Sequence, residues 1–577
     1  MPKKTKQMKR TIIFLLAIGC SMLGRAQDSK LNQTVQVTNR YKTDLDSFEK
    51  DSLKTFIPDS LYKFDLNFDY SGFTNPYKAV RSEFLPSYTD LELAARPWNA
   101  DKLYLKLGLG YTLNPELDLE WNFYSGRRFK MGMYAQNRSY FGNYHCIESD
   151  ASKLLVKDGN KSFGLASTSL FGFNGRSDWE SCRLLFSLSY DGVHSLLPEH
   201  FNSAPSLARV LRSYNAMRAK IDFASVRDDR QNNFRYGFKL DYVLGSSVLK
   251  GFAATPAIIE HNLLFDAEFG YDFEKGHSLE VEALAASTFS LQNAAGVAPY
   301  HCSDVVLKPR YAYSHGNITV EAGLSVLFTA GKGVNRGDNI LEVWPALRLD
   351  WKAVDGWLDV FVHSDMKGSF DGARGSAFRD VFNIPHTEAV MAETKDMTLD
   401  GGFRGNITDA FSYEIGIGYQ GIENCPLYKV DFGDGTLAAP IMPVNVIYGA
   451  LYNANAHLDF GFRMSGFRLD GRAEYFYWFG GVSHLYTPSS FKADVSLGYD
   501  LRSRVFPKIG CAFQSPYRSN SYRTQFIYDL YASVEGRLNN NLSLYLKGSN
   551  LLGRANQYIP LLAPKGVAVT AGVVLNF

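Results

Sequence analysis

Beyond its first twenty-six positions this 577-residue sequence contains no run of eighteen apolar residues, which excludes a helix long enough to cross a membrane. Cysteine is scarce, with six in the whole chain. Past Cys20 there remain Cys146, Cys182, Cys302, Cys425 and Cys511, an odd and scattered set without CxxC spacing. That excludes a disulfide framework and the usual zinc or redox pairs. GxSxG, HExxH and any compact Ser/His/Asp grouping are also missing, so no enzyme is expected. No residue stands out as catalytic, cofactor-binding or metal-ligating, and no cofactor is implied. An excess of one charge is missing too, with 61 basic against 59 acidic residues.

Aromatic residues and glycine are abundant: 34 Tyr, 41 Phe and 49 Gly. Hydrophobic residues at 45% and charged ones at 21% would suit a water-soluble protein, but this aromatic content also suits a surface set in lipid and its two interfaces. The N-terminus reads as an export signal. Lys3, Lys4, Lys6, Lys9 and Arg10 precede the uncharged stretch Thr11 to Leu23, and Gly24-Arg25-Ala26 sets small residues before Gln27. Residues 1–26 are therefore expected to be removed. Cys20, after Ala17-Ile18-Gly19, offers the alternative of a lipoprotein cysteine but lacks the leucine usual three residues earlier. The signal carries six basic residues and no acidic ones, so the remainder has 55 against 59, a net of −4. Nothing there points to nucleic acid.

From about residue 102 onward apolar and polar residues alternate over roughly ten positions and then give way to a turn, the period of a β-strand. In Leu117-Asp118-Leu119-Glu120-Trp121-Asn122-Phe123 one face is apolar and the other polar. Phe411, Tyr413, Ile415, Ile417 and Tyr419 alternate with Ser412, Glu414, Gly416, Gly418 and Gln420. Phe526, Tyr528, Leu530, Ala532 and Val534 face away from Asp529, Tyr531, Ser533 and Glu535. A β-sandwich would alternate as well, and three features separate the two. Aromatics gather on the apolar faces, as in Phe234, Tyr236, Phe238 and Tyr242 or Phe265, Phe269, Tyr271 and Phe273. The opposite faces carry charges: Lys239 and Asp241, Asp266 and Glu268, Arg218, Lys220 and Asp222. A water-filled lumen accommodates these, whereas a sandwich would have to cover them with a second sheet.

Connection lengths supply the third feature. Every second connection is short: Ser125-Gly126, Glu274-Lys275-Gly276, His315-Gly316-Asn317, Val354-Asp355-Gly356, Ser465-Gly466 and Asn539-Asn540-Asn541. The others are long, including 138–161, 192–211, 370–394 and 423–444. Short periplasmic turns against long extracellular loops mark an outer-membrane barrel. The expected fold is all-β: a transmembrane antiparallel barrel of about 22 strands over 102–577, in the cell outer membrane of a Gram-negative bacterium. Residues 27–101 are expected to form a short periplasmic or lumen-filling extended segment, polar and proline-punctuated at Phe56-Ile57-Pro58-Asp59 and Thr74-Asn75-Pro76-Tyr77.

Several short motifs carry less than they promise. Gly416-Ile417-Gly418-Tyr419-Gln420-Gly421 matches GxGxxG but lies inside an alternating strand, not between a strand and a helix. Asp431-Phe432-Gly433 stands without other kinase elements. Arg336-Gly337-Asp338 falls in an expected outward loop, where an adhesion receptor could read it. Tyr144-His145-Cys146 and Tyr300-His301-Cys302 are identical tripeptides, both expected in outward loops, and could meet as a metal site or disulfide only if those loops were adjacent.

The chain finishes on Gly572-Val573-Val574-Leu575-Asn576-Phe577. This resembles the C-terminal signal read by the barrel-assembly machinery, with Ala571 where a polar residue is usual. Asn541 to Leu552, closing on Asn550-Leu551-Leu552, resembles the penultimate strand of TonB-dependent receptors, and the loop with Tyr558, Pro564 and Gly566 continues the match. The resemblance implies transport of a solute across the outer membrane. Those receptors carry a globular plug of well over a hundred residues, for which 27–101 is too short. The alternative is a non-transporting barrel subunit of an outer-membrane protein assembly or export complex. Outer-membrane lipid is the expected surrounding, and residues 27–101 are the expected contact for TonB-like or other outer-membrane subunits. A barrel of this circumference left empty would be a wide hole, so this segment, inward-folded loops or another subunit must narrow it.

Overall fold

Lipid offers the backbone no hydrogen-bond partners, so a sheet that spans it must pair every edge and close on itself. The computed structural model describes residues 103–577 except 112, 197–210, 226–232, 251–256, 294–300, 333–339, 355, 372–391, 409, 431–443, 480–487, 520–521, 559 and 561–565. The expected signal at 1–26 and the segment 27–101 lie outside the described residues.

Within them the chain forms twenty-two strands. The first seven are β1 (Leu103–Tyr111), β2 (Glu116–Ser125), β3 (Phe129–Ser149), β4 (Leu155–Asp178), β5 (Cys182–Leu196), β6 (Leu211–Ser225) and β7 (Phe234–Lys250). Then follow β8 (Ala257–Asp272), β9 (His277–Asn293), β10 (His301–His315), β11 (Ile318–Lys332), β12 (Ile340–Val354), β13 (Leu358–Asp371) and β14 (Ala392–Thr408). The last are β15 (Phe411–Val430), β16 (Val444–Met464), β17 (Phe467–Phe479), β18 (Phe491–Tyr499), β19 (Val505–Gln514), β20 (Ile527–Arg537), β21 (Leu542–Ser549) and β22 (Ala568–Asn576). Each pairs antiparallel with the next, and β22 pairs back with β1, from Tyr104 opposite Asn576 to Tyr111 opposite Val569. The N–H of Leu103 donates to the carbonyl of Phe577 at 2.9 Å, and the N–H of Phe577 returns the bond at 2.8 Å. The expected barrel is therefore present and closed, and its short turns fall where the sequence placed them.

Alternation sorts the faces. Outward residues include Trp121, Phe234, Ile415, Ile417 and Leu544, with Ile417 72% exposed. They form an apolar exterior, the surface a membrane-spanning barrel turns to lipid. Inward from them lie Glu116, Asp118, Lys239, Asp241, Asp529 and Glu535. The GxGxxG glycines sit in β15 as expected of a strand. A Cβ on Gly416 would lie 2.2 Å from the His457 ring, so glycine there lets the histidine lie flat on the wall.

The expectation of a long loop over 138–161 is wrong. β3 and β4 run through it as strands of 21 and 24 residues, leaving only a tight connection around 150–154. About ten residues suffice to cross a bilayer, so these strands continue well past it. Alternation fades because the outward residues turn polar there. Asn137 Nδ2 donates to Ser169 Oγ at 2.8 Å, Ser139 and Ser167 share a 2.8 Å bond, Tyr190 donates to Asn215 at 2.5 Å, and Ser213 meets His194 at 3.0 Å. β1, β2 and β18 to β22 are only 8 to 11 residues long, so one sector of the wall is low and the rest tall.

The closing seam is fastened from inside. Glu116 at the start of β2 accepts from Lys547 of β21 at 2.6 Å and lies 3.5 Å from Lys106 of β1. Tyr545 of β21 also donates to it, lying across β22 and β1. Only glycine permits this crossing: a Cβ on Gly572 would fall 2.5 Å from the Tyr545 ring, and one on Gly108 2.1 Å from its hydroxyl. Glu116→Leu would leave Lys106 and Lys547 buried without their counter-charge, at a cost of roughly 3–5 kcal/mol. Urea unfolding of the detergent-solubilised barrel should show that loss, with Tyr545→Phe costing less, about 1.5–3 kcal/mol for one bond to a charged acceptor.

Candidate functional site

The inner wall is the surface available to a solute, and its charges are largely spent on one another. Arg138 meets Asp118 at 2.6 Å, Arg176 meets Asp178 at 2.7 Å, and Arg218 donates to Asp241 at 2.8 Å. Lys239 bridges Asp266 and Glu268 at 3.0 and 2.9 Å. Arg235 holds Glu280 at 2.7 Å, and Arg310 holds Glu282 at 2.5 Å. Further round, Arg348 and Arg404 share Asp350 at 2.6 and 2.8 Å, Arg468 meets Asp470 at 2.6 Å, and Arg472 meets Glu474 at 2.8 Å. Five of these pairs bridge facing or diagonal positions on neighbouring strands, as cross-strand geometry favours, four join residues two apart on one strand, and Arg235–Glu280 and Arg404–Asp350 reach over an intervening strand. The wall is thus wettable without a strong net field.

A histidine cluster interrupts this belt on β12 to β16. His457 lies 3.5 Å from Glu414 and 3.8 Å from Asp400, and His363 lies 3.5 Å from Asp350. Phe361 sits between the two rings, 5.4 Å from one and 6.5 Å from the other. No group of three His, Cys, Asp or Glu able to hold a metal occurs among the described residues. Sequence reading missed this cluster, since its members stand alone on separate strands.

The wall also departs from a simple ring at β13. The ladder between β12 and β13 ends at Leu347 opposite Ser364, although β12 continues to Ile340 and β13 to Asp371. From that point on β13 contacts the inner faces of β10 to β12 through its side chains. Trp344, on the inward face of β12, donates through Nε1 to Ser364 Oγ at 3.0 Å. Lys308 of β10 donates to both Asp365 oxygens at 3.0 and 3.1 Å, and Ser325 of β11 donates to Asp365 at 3.3 Å. Met366 is buried against Val306 of β10 and Leu327 of β11, with Leu284, Trp344 and Met397 packed around them. Such contacts require β13 to cross the inner face of β12, so β13 beyond Ser364, with the part of β14 paired to it, lies on the lumen side of the wall.

Departing from β12 would strand backbone groups, and side chains take them up. Pro345 has no N–H to lose, and its carbonyl accepts from Ser364 Oγ at 3.0 Å. The N–H of Met366 donates to Asp365 Oδ1 at 2.8 Å.

On the extracellular side, three connections are tied together over the low sector. The N–H of Leu155 donates to the carbonyl of Arg523, and the N–H of Arg523 to the carbonyl of Lys153, both at 2.8 Å. Gln557 Nε2 donates to the carbonyl of Leu155 at 3.1 Å. Asn550, in the left-handed region at φ 48°, donates to the carbonyls of Arg554 and Gly566, at 2.7 and 3.0 Å, and so folds the β21–β22 connection. This is the Asn of the Asn-Leu pair on which the sequence resemblance rests. In the same cluster, Asp150 accepts from the Ser152 hydroxyl at 2.6 Å and from the backbone N–H groups of Leu154 and Ser152, both at 2.8 Å, and these bonds hold its carboxyl below the usual carboxylate range.

The other sequence candidates are not brought together. Tyr144, His145 and Cys146 lie in β3, and His301 and Cys302 open β10, strands that are not paired, so these five residues stand in strands and not in the expected loops. Cys146 is half-buried and Cys302 buried. Tyr300, Arg336-Gly337-Asp338 and Asp431-Phe432-Gly433 lie outside the described residues.

No family model matches the chain, and no curated protein matches its sequence. Solved structures do match. The FrpB iron transporter from Neisseria meningitidis superposes with a TM-score of 0.62 at 9% identity, over 85% of this chain and 83% of that one. The siderophore receptor PirA from Acinetobacter baumannii gives 0.61 at 8% identity, over 82% and 80%. The Serratia marcescens hemophore receptor HasR, solved with its hemophore HasA and heme, gives 0.57 at 13% identity, over 82% and 80%. At such identities the likeness is one of fold, the 22-strand outer-membrane-type barrel of TonB-dependent receptors.

Gln557 carries a buried bond between two of the three tied connections. Gln557→Ala should therefore loosen the β3–β4 tip, and trypsin should cut at Lys153 about fivefold faster or more, the equivalent of roughly 1 kcal/mol.

Proposed function

We propose that this chain carries a solute across the outer membrane through its lumen, in the manner of TonB-dependent receptors. One observation supports the reading above the rest: a closed ring of twenty-two strands whose inner face is a belt of mutually paired charges, compatible with water along its length. Barrels of this strand number characteristically work as gated transporters with an occupied lumen. The neighbouring structures named for iron, siderophore and hemophore binding share this fold. Because the wall's charges are already paired, the cargo is recognised through hydrogen bonds and apolar contacts more than through its net charge.

In this reading residues 27–101 enter β1 from the side of the short turns, where Leu103 and Phe577 meet, and make the contact with a TonB-like partner. The strand ending at Phe577 is what the barrel-assembly machinery reads during insertion. No catalytic role is assigned.

Conductance in planar bilayers tests the proposal. Deleting residues 27–101 from the purified protein should raise conductance several-fold. A barrel silent with and without that segment would instead favour a non-transporting subunit of an outer-membrane complex.

A further inference from the structure

An apolar patch facing a hydrated lumen has no reason to persist unless something covers it. Val306, Leu327, Leu284 and Trp344 form such a patch on the inner faces of β9 to β12, yet Val306 and Leu327 are only 2% and 1% exposed. The β13–β14 hairpin supplies cover. By strand register Ser364 is on the outward face, opposite Leu347, and Met366 follows on the same face, opposite Met397. Both methionines nevertheless pack on inward residues of the preceding strands. The hairpin has thus folded inward as a flap, laying the face it would have shown to lipid against the inside of its own barrel.

What holds the flap is as informative as what it covers. Its apolar contact is small, and one ion pair sits at its root. The Lys308 side chain is almost fully buried, while that of Asp365 is about one-third exposed. Lys308 reaches both carboxylate oxygens, Ser325 donates a third bond, and the Met366 N–H a fourth. A charge-assisted, many-bonded contact with one partly wetted partner is strong at rest, yet it can be exchanged for water or for a ligand group. Arg235–Glu280 and Arg404–Asp350 skip one strand, and Glu116–Lys547 skips two at the closing seam, but there backbone ladders already join every strand between. Lys308 and Asp365 also have two strands between them, and here the ladder from β12 to β13 has already ended at Ser364.

We propose that the described limbs of the β13–β14 hairpin, Ser364–Asp371 and Ala392–Leu399, form a constriction of the lumen and that the Lys308–Asp365 pair is the latch holding them against the wall. The proposal rests on the transport reading in one respect only: that solutes pass through this lumen. Position of the flap is a separate matter and has its own readout.

Met366→Cys in the full chain, reconstituted in lipid, reports the flap through a membrane-impermeant maleimide, counted against the unsubstituted protein. With the latch intact Cys at this site should label slowly. Adding Asp365→Lys should speed labelling at least tenfold, and the Asp365→Lys protein should show a measurably larger conductance. Lys308→Asp combined with Asp365→Lys should return both towards the starting values. Heat-modifiable migration on gels checks that each variant is a folded barrel, and Lys308→Met serves if charge reversal blocks assembly. Labelling unchanged by either variant overturns the latch. Faster labelling with unaltered conductance overturns the constriction, since the flap would then move without limiting passage. A protein that never conducts but still labels faster on charge reversal leaves the latch standing and removes the transport reading.

Discussion

Everything in this barrel follows from the poverty of lipid as a hydrogen-bonding solvent. No strand edge can be left open inside it, so the twenty-two strands close into a ring through β1 and β22. Closure fixes two faces, and alternation assigns one to lipid and the other to water. The lumen then has to hold polar groups at a high density without a costly excess of bare charge, and the paired belt is the result. Glu116 shows how the two demands meet: the carboxylate that reduces the charge of two lysines also binds the last hairpin to the first.

Strands inside the membrane were legible in the sequence because lipid imposes a strict rule on every second residue. The runs Phe411–Gln420 and Phe526–Glu535, the short turns and the final strand all emerged from that rule. Above the membrane it lapses. Asn137, Ser139, Ser167 and Ser169 bond to one another on the outer face, so β3 and β4 looked like a loop. The flap was illegible for a different reason. Met366 and Met397 read as ordinary outward residues, and no periodicity announces that their hairpin has turned inside. Its decisive contact joins Lys308 to Asp365, 57 residues apart and on strands that share no ladder.

The wall is therefore not uniform. It has a low sector, β18 to β2, over which three connections are tied, and a tall sector of long strands. The flap rises from the tall sector and the tied connections lie over the low one. Narrowing of the mouth thus comes from opposite causes in the two places: strands that bend inward, and loops that bridge across.

The reciprocal bonds between Leu103 and Phe577 make the two ends of the barrel neighbours. Geometrically the chain is a circle with a single cut, and its linear order records where that cut falls and nothing about the ring itself. A circular permutant joined through these ends and opened at Ser465-Gly466 would encode the same sequence of ladders. The preceding segment would then enter beneath β17 instead of β1, which separates what it contributes from where it is attached.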